Sequence, residues 1–356
     1  MLSNAQIRMR HSGLTATDMA RISGENPFSG PIQVYDEKTS PVELLLERSS
    51  VPSNEAMSGQ IFEAALVKRY VAERTPSGHR LRILQTRRTH RHPELHWAMA
   101  TPDRFVFAEC LQLPPDKRLT RKAMNAAVAA RRGPYLLECK LVGSRMAKSW
   151  DTTSADVLDA DRVPSYVYVQ CQWQMFVLGH ARCDVASLIG GTRFHSFTLV
   201  RDEVFIRDLV KLGQAFWDRI KLREPPQPDG SQYYDRWLER RFPARARPLT
   251  KAPDGAEELA RLYKEASKQV AAARAEQKRY GQALKNLIAD CQGIASETFE
   301  AEWTTSRGEI DTAALAKATL MSPVRIETFR KRPRRSLRVW LADTGDVGDE
   351  KEEEMF

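Results

Sequence analysis

The chain has 356 residues, 42% hydrophobic and 28% charged, with 18 Gly and 19 Pro, a profile that suits a two-domain globular protein and excludes collagen, a disulfide miniprotein and a wholly disordered chain. Fifty-five Lys and Arg against 46 Asp and Glu leave a net charge of +9, which favours polyanionic partners without identifying one. No apolar stretch reaches the ~18 to 20 residues that span a bilayer, and the start, MLSNAQIRMR, lacks a signal-peptide core, so a cytoplasmic location and no membrane contact are expected.

In chain order, Leu14-Thr15-Ala16-Thr17-Asp18 reads as a helix start, because Thr or Asp side chains accept bonds from first-turn amides. A Gly/Pro/Ser-rich loop follows over 23–31. Helical spacing resumes at 41–48 and at 54–73, where Ile61, Ala65, Leu66 and Tyr70 share a face. Short β-type runs come next, at 81–89, 96–101 and 104–108, then a basic, Ala-rich helical segment at 117–132 and a strand at 135–142. The apolar stretch 166–178 exceeds a usual strand and is read as a partly buried helix opened by Pro164. Strands at 183–189 and 194–200 precede a helix at 203–222. Residues 1–222 therefore predict an α/β unit with a central mixed sheet flanked by helices.

From 223 to 254 the composition turns to Pro, Arg and aromatic residues, as in PPQPDG and FPARARP, and an extended linker is expected. Residues 255–340 read as a helical domain or arm. Within it, 257–292 repeats apolar or small residues in alternating steps of four and three, at Leu259, Tyr263, Ala266, Val270, Ala273, Tyr280, Leu284 and Leu287, with polar Gln277 interrupting the seam. This is either a coiled-coil arm ~54 Å long or a helix lying on its own domain. A basic run, Arg330, Lys331, Arg332, Arg334, Arg335 and Arg338, leads into an acidic tail at 341–356 that is expected to be disordered.

The chemistry lies in Pro102-Asp103 and Glu138-Cys139-Lys140. On a strand, Glu138 and Lys140 share a face while Cys139 points into the opposite layer. With Asp103 at the end of a neighbouring strand, two carboxylates and the Cys139 carbonyl can hold Mg²⁺ or Mn²⁺ with positions open for water and phosphate, and Lys140 can orient that water or help deprotonate it. The same short pattern also reads as an ordinary exposed ion pair. Two neighbours favour the site. Glu63, four residues after Gly59 on a helix, supplies a third carboxylate that reaches the metal or its waters. Gln170 lies among the amides of an apolar helix, where a buried amide must be satisfied, and is a candidate to hold a water, a phosphate oxygen or Lys140.

The ordered set Arg10-x-x-x-Leu14-Thr15-Ala16-Thr17, Asn26-Pro27-Phe28, Gly59-x-x-x-Glu63, Ala100-Thr101-Pro102-Asp103, Leu137-Glu138-Cys139-Lys140 and Pro164…Gln170-x-Gln172-x-x-Met175 resembles the YqaJ-like viral recombinases, relatives of phage lambda exonuclease within the PD-(D/E)XK nucleases. The resemblance covers roughly residues 8–222. It implies a PD-(D/E)XK core in which Asp103 and Glu138 ligate metal, Glu63 assists, Lys140 activates water and Gln170 supports them. It also implies that Arg10 and Thr17, the latter replacing a Ser, clamp a terminal 5′-phosphate; a plain helix cap is the alternative for Thr17. The implied activity is a phage-derived, Mg²⁺-dependent exonuclease that resects linear duplex DNA 5′ to 3′. A single-strand annealing partner and a homo-oligomer, commonly a trimer, are implied with it. An endonuclease or structure-specific nuclease with the same centre, and a non-catalytic DNA-binding recombination protein, are the competing readings.

Thirty-four residues separate Asp103 from Glu138, more than the short hairpin of that family. This insertion carries Lys117, Arg118, Arg121, Lys122, Arg131 and Arg132, which either grip the DNA backbone or form a solvated surface helix. After the strand, Arg145, Lys148 and Trp150 are candidates to guide an unpaired strand, with core packing the alternative for Trp150. The five cysteines, Cys110, Cys139, Cys171, Cys183 and Cys291, lack C-x-x-C spacing. His79, His90, His92, His96, His180 and His195 lack a compact ligand pattern and are expected to be surface or DNA-facing residues.

Overall fold

The computed structural model describes residues 3–48, 54–75, 79–86, 88–110, 120, 124, 134–150, 152, 157–242, 251–306 and 334–341. The chain divides into two units, Met1–Arg245 and Ala246–Phe356. The first begins with helices whose starts are written in their caps. In α1 (Asn4–His11) Ser3 and Gln6 form a reciprocal capping box, and in α2 (Ala16–Ile22) Thr15 and Asp18 do the same. The cap of α2 is therefore Thr15, and Thr17 stands exposed in the first turn. α3 (Pro31–Thr39) opens on a proline whose fixed φ suits a first helical position, and α4 (Val42–Arg48) and α5 (Asn54–Arg74) follow.

Next come β1 (His79–Leu84), β2 (His90–Arg91), β3 (Met99–Ala100), β4 (Arg104–Cys110) and β5 (Tyr135–Val142). A 3₁₀ turn at Ser144–Ser149 leads through α6 (Asp159–Arg162) to α7 (Ser165–Leu178), β6 (Arg182–Ile189), β7 (Arg193–Val200), α8 (Glu203–Leu222) and α9 (Gln232–Arg241). Five strands make one sheet in the order β1-β4-β5-β6-β7, with β5 and β6 parallel and every other neighbour antiparallel. The sequence-based reading of a central mixed sheet flanked by helices holds.

The pleat of β5 assigns each residue a layer. Leu136 and Val142 belong to the larger core, which includes Val167, Cys171 and Trp173 of α7, whereas Leu137 and Cys139 join Tyr70 and Val67 of α5 on the opposite face. Glu138 and Lys140 therefore project from the α7 face. α7 is buried around much of its circumference, on ten of its fourteen residues, rather than partly buried as its sequence suggested. Its three glutamines take separate partners, and Gln172 bonds the Val200 carbonyl (2.8 Å) and the Asp202 amide (2.9 Å).

The structure corrects two regions. Residues 232–241, within the expected linker, form α9, capped by Ser231, with Tyr234 and Trp237 buried and the helix lying against α3. Tyr234 and Trp237 sit three residues apart on one helix face, a spacing that the Pro- and Arg-rich composition masks. The C-terminal unit is not purely helical: after α10 (Ala256–Ile288) come β8 (Gly293–Ala295), β9 (Phe299–Ser306) and β10 (Arg334–Leu341), in the antiparallel order β10-β9-β8. Alternation in 299–306 and 334–341 carries that sheet. Only the end of α10 docks on it, through buried Ile288 and Lys285 over the Trp303 ring, while Leu259, Tyr263, Val270 and Tyr280 are exposed. Arg330, Lys331, Arg332 and the tail 342–356 lie outside the described residues. Among the described residues no helix is long and apolar enough to cross a membrane.

Candidate active site

β4 and β5 pair with Arg104 opposite Leu137, which brings Asp103, at the entry to β4, beside Glu138. Asp103 Oδ2 accepts from the Cys139 amide at 2.9 Å. Glu138 is held at both oxygens: Oε1 by Lys140 Nζ at 2.8 Å and Oε2 by Gln174 Nε2 at 2.9 Å. Lys140 Nζ also donates to Gln170 Oε1 at 2.6 Å. Gln170 and Gln174 are one helical turn apart, so a single face of α7 meets both members of the Glu138–Lys140 pair.

Burial, and next the negative charge of Glu138, push the Asp103 carboxyl well above the usual carboxylate range, against the pull of the Cys139 amide. Lys140 goes the opposite way from an isolated buried amine. Burial works against its charge, but the Glu138 carboxylate outweighs it and holds the ammonium above its ordinary range. A buried pair of this kind persists because both partners keep hydrogen bonds.

A pocket of about 420 Å³ adjoins these groups, and its lining includes Asp103, Glu138, Gln170, Gln174, Arg10 and Thr17. The structure thus brings six sequence-selected positions, Arg10, Thr17, Glu63, Asp103, Glu138 and Gln170, around one concavity. Glu63 faces it from α5, but its carboxylate is paired with Arg104, which also donates to the Asp103 carbonyl at 2.7 Å. Among the described residues no three His, Cys, Asp or Glu side chains converge as a metal cluster. The donors nevertheless fit a small hard cation: two adjacent carboxylates, one destabilised as an anion by the other, beside the Cys139 backbone. Mg²⁺ is commonly held by one or two carboxylates, with water and phosphate completing its shell.

Gln174 and Arg104 were missed as site residues by sequence reasoning. The signal for Gln174 was its i+4 spacing from Gln170; Arg104 had none beyond adjacency to Asp103. Gln174 Oε1 is buried and makes no hydrogen bond among the described residues, an acceptor left over at the pocket wall.

Other expectations separate. Arg145 and Lys148 are exposed on the 3₁₀ turn after β5, whereas Trp150 is buried beside Phe197, its ring centroid 5.6 Å away, as core packing requires. Lys117, Arg118, Arg121, Lys122, Arg131 and Arg132 lie outside the described residues. The histidines are not uniformly surface residues: His180 is buried edge-on to Phe105, and His92 stacks on Phe176 at 4.5 Å. An apolar ring body makes such packing favourable where sequence shows only a polar letter.

Known proteins share parts of this chain. It is 25% identical over 236 residues to the uncharacterised protein YqaJ of Bacillus subtilis (strain 168), covering 65% of this chain, and it spans 61% of that relative's length. Among solved structures it is similar to an alkaline exonuclease, LHK-Exo, from Laribacter hongkongensis (17% identity, 67% of this chain and 97% of that one, TM-score 0.40). It is also similar to a phage-related exonuclease from Haemophilus somnus 129PT (12% identity, 61% and 98%, TM-score 0.35). Residues 7–181, which hold every group of the pocket named above, match the sequence model of the YqaJ-like viral recombinase domain, and the N-terminal unit of this chain contains a domain of that family.

Proposed function

We propose that the N-terminal unit is a divalent-metal-dependent exonuclease, with Mg²⁺ as its ion and Mn²⁺ as a substitute. It resects the 5′-ended strand of linear duplex DNA and leaves 3′ overhangs for a single-strand annealing partner. The observation that carries this reading is the shared pocket. Arg10 and Thr17 line the same concavity as the Asp103–Glu138 carboxylate pair. A guanidinium and a hydroxyl suit a terminal phosphate dianion, and a strand end placed there would bring a phosphodiester to the carboxylates.

Asp103, Glu138 and the Cys139 carbonyl would hold the ion, with Glu63 reaching it through a water. A divalent ion so held polarises the scissile phosphate and lowers the pKa of a bound water. Lys140, kept as an ammonium by Glu138, donates to a water or a phosphate oxygen and so orients it. Accepting the water's proton requires that Glu138 share its charge elsewhere. Gln170 fixes the Lys140 ammonium and Gln174 fixes Glu138, so neither must reorganise during reaction. A homo-oligomer, with three copies as the expected number, completes the reading on the strength of the family resemblance.

The test compares wild type with Asp103→Ala on end-labelled duplexes with and without a 5′-phosphate. Loss of 5′-terminal nucleotides, favoured by the phosphate and abolished in the variant, is expected. Cleavage of covalently closed circles would replace the proposal with an endonuclease, and an active Asp103→Ala protein would remove the site.

A further inference from the structure

The Arg10/Thr17 wall of the pocket rests on a buried charge that the catalytic groups do not use. Lys38, on α3, has a side chain only 6% exposed, and its Nζ lies 2.8 Å from Asp18 Oδ2 and donates to the Arg10 carbonyl at 2.7 Å. The Arg10 carbonyl belongs to the last turn of α1, where acceptors lack a partner four residues on. The Leu14 amide, which a continued helix would supply, instead donates to the Trp97 carbonyl at 2.6 Å. Asp18 Oδ2 also accepts the Thr15 amide and hydroxyl, both at 2.9 Å, at the cap of α2.

One ammonium therefore ties the end of the helix that carries Arg10 to the start of the helix that carries Thr17. Arg21 clasps α2 to α3 separately, by two 2.8 Å bonds to Glu37 and a 3.5 Å approach to Asp18 Oδ1, without reaching α1. Burying a lysine is unfavourable unless it is paired and hydrogen-bonded, and here each bond goes to a segment flanking the pocket.

We propose that Lys38, acting through Asp18 and the Arg10 carbonyl, is a positioning residue that sets the spacing of Arg10 and Thr17 and so determines preference for a 5′-phosphorylated end. This rests on the exonuclease reading above. It goes further in assigning end discrimination to a side chain that touches neither DNA nor metal.

The experiment measures kcat/KM on duplexes with 5′-phosphate and with 5′-hydroxyl ends for wild type, Arg10→Gln and Lys38→Met, with Mg²⁺ present. The Lys38→Met protein is expected to lose about tenfold or more of the phosphate-to-hydroxyl ratio, the scale of a displaced binding group, while its rate on hydroxyl ends stays within about twofold. Loss of ratio in Arg10→Gln with an unchanged ratio in folded Lys38→Met overturns the role of Lys38 alone. A wild type without any phosphate preference overturns the end-recognition reading itself and this inference with it. If Lys38→Met does not melt cooperatively, the doubly neutral Asp18→Asn/Lys38→Met protein is measured in the same way. A lost ratio there supports the proposal, whereas a retained ratio or failure to fold assigns Lys38 to stability and overturns it.

Discussion

Acid stability offers a direct reading of the buried charges at Asp18. Burial alone would raise this carboxyl, but Lys38 and then Arg21 more than reverse that effect and bring it from 3.8 to about 2. The folded protein thus binds this proton more weakly than the unfolded chain does. At about 1.36 kcal/mol per pKa unit, the difference amounts to about 2 kcal/mol of stability, present above the unfolded value and lost as pH falls through the folded one. Asp18→Asn removes this titration and leaves the Lys38 ammonium buried without its anion, so at about pH 6 the variant should be less stable by about 3 to 5 kcal/mol. Urea unfolding across the range from about pH 6 to about pH 2 measures both effects. Five of the seven tryptophans, Trp97, Trp150, Trp173, Trp217 and Trp237, lie in the N-terminal unit and weight the fluorescence towards it. The gap between wild type and variant should shrink by about 2 kcal/mol on going to the acid end. Parallel pH dependences for the two proteins would refute the argument that Lys38 and Arg21 stabilise an ionised Asp18.

Two further substitutions probe α7 and α8. Gln174→Leu deletes the donor to Glu138 Oε2 together with a buried acceptor that lacks a partner, so kcat should fall about 10- to 100-fold with Tm little changed; an unaltered kcat would remove Gln174 from the site. Gly213→Ala would place a methyl 2.9 Å from the Trp97 ring and 3.2 Å from Met19 sulfur, and should destabilise by about 1 to 3 kcal/mol in thermal or urea unfolding. A wild-type Tm in that variant would contradict the close approach of α8 to Trp97 and Met19.

Much of the sheet was legible because its strands announce themselves locally. Residues 135–142 and 183–189 are short, largely apolar runs between turn residues, and the apolar helix between them identifies a crossover, which is why β5 and β6 are parallel. Asp103, Glu138 and Lys140 were legible for a different reason: strand alternation alone decides which side chains share a face, whatever the strand packs against. The partners of Glu63 and Glu138 were not. Whether Glu63 turns to a metal or to Arg104 depends on the approach of α5 to β4, a long-range packing outcome that spacing within either segment does not contain. The same holds for Lys38, an ordinary polar letter in sequence whose burial is created by α1 and α2 closing over it. α9 and the C-terminal sheet were hidden by composition, since Pro and Arg around 223–254 outweigh the Tyr234 and Trp237 pair, and strands at 299–306 and 334–341 have no short turn between them to mark a hairpin.

α7 serves at once as the crossover between parallel strands, a filler of the main core, and the carrier of the amides that grip Glu138 and Lys140. Since one rod performs all three tasks, loosening its packing by heat or denaturant frees the ammonium and the carboxylate in the same event. Inactivation and melting of the N-terminal unit should then share a midpoint, with no warm, folded but idle state between them.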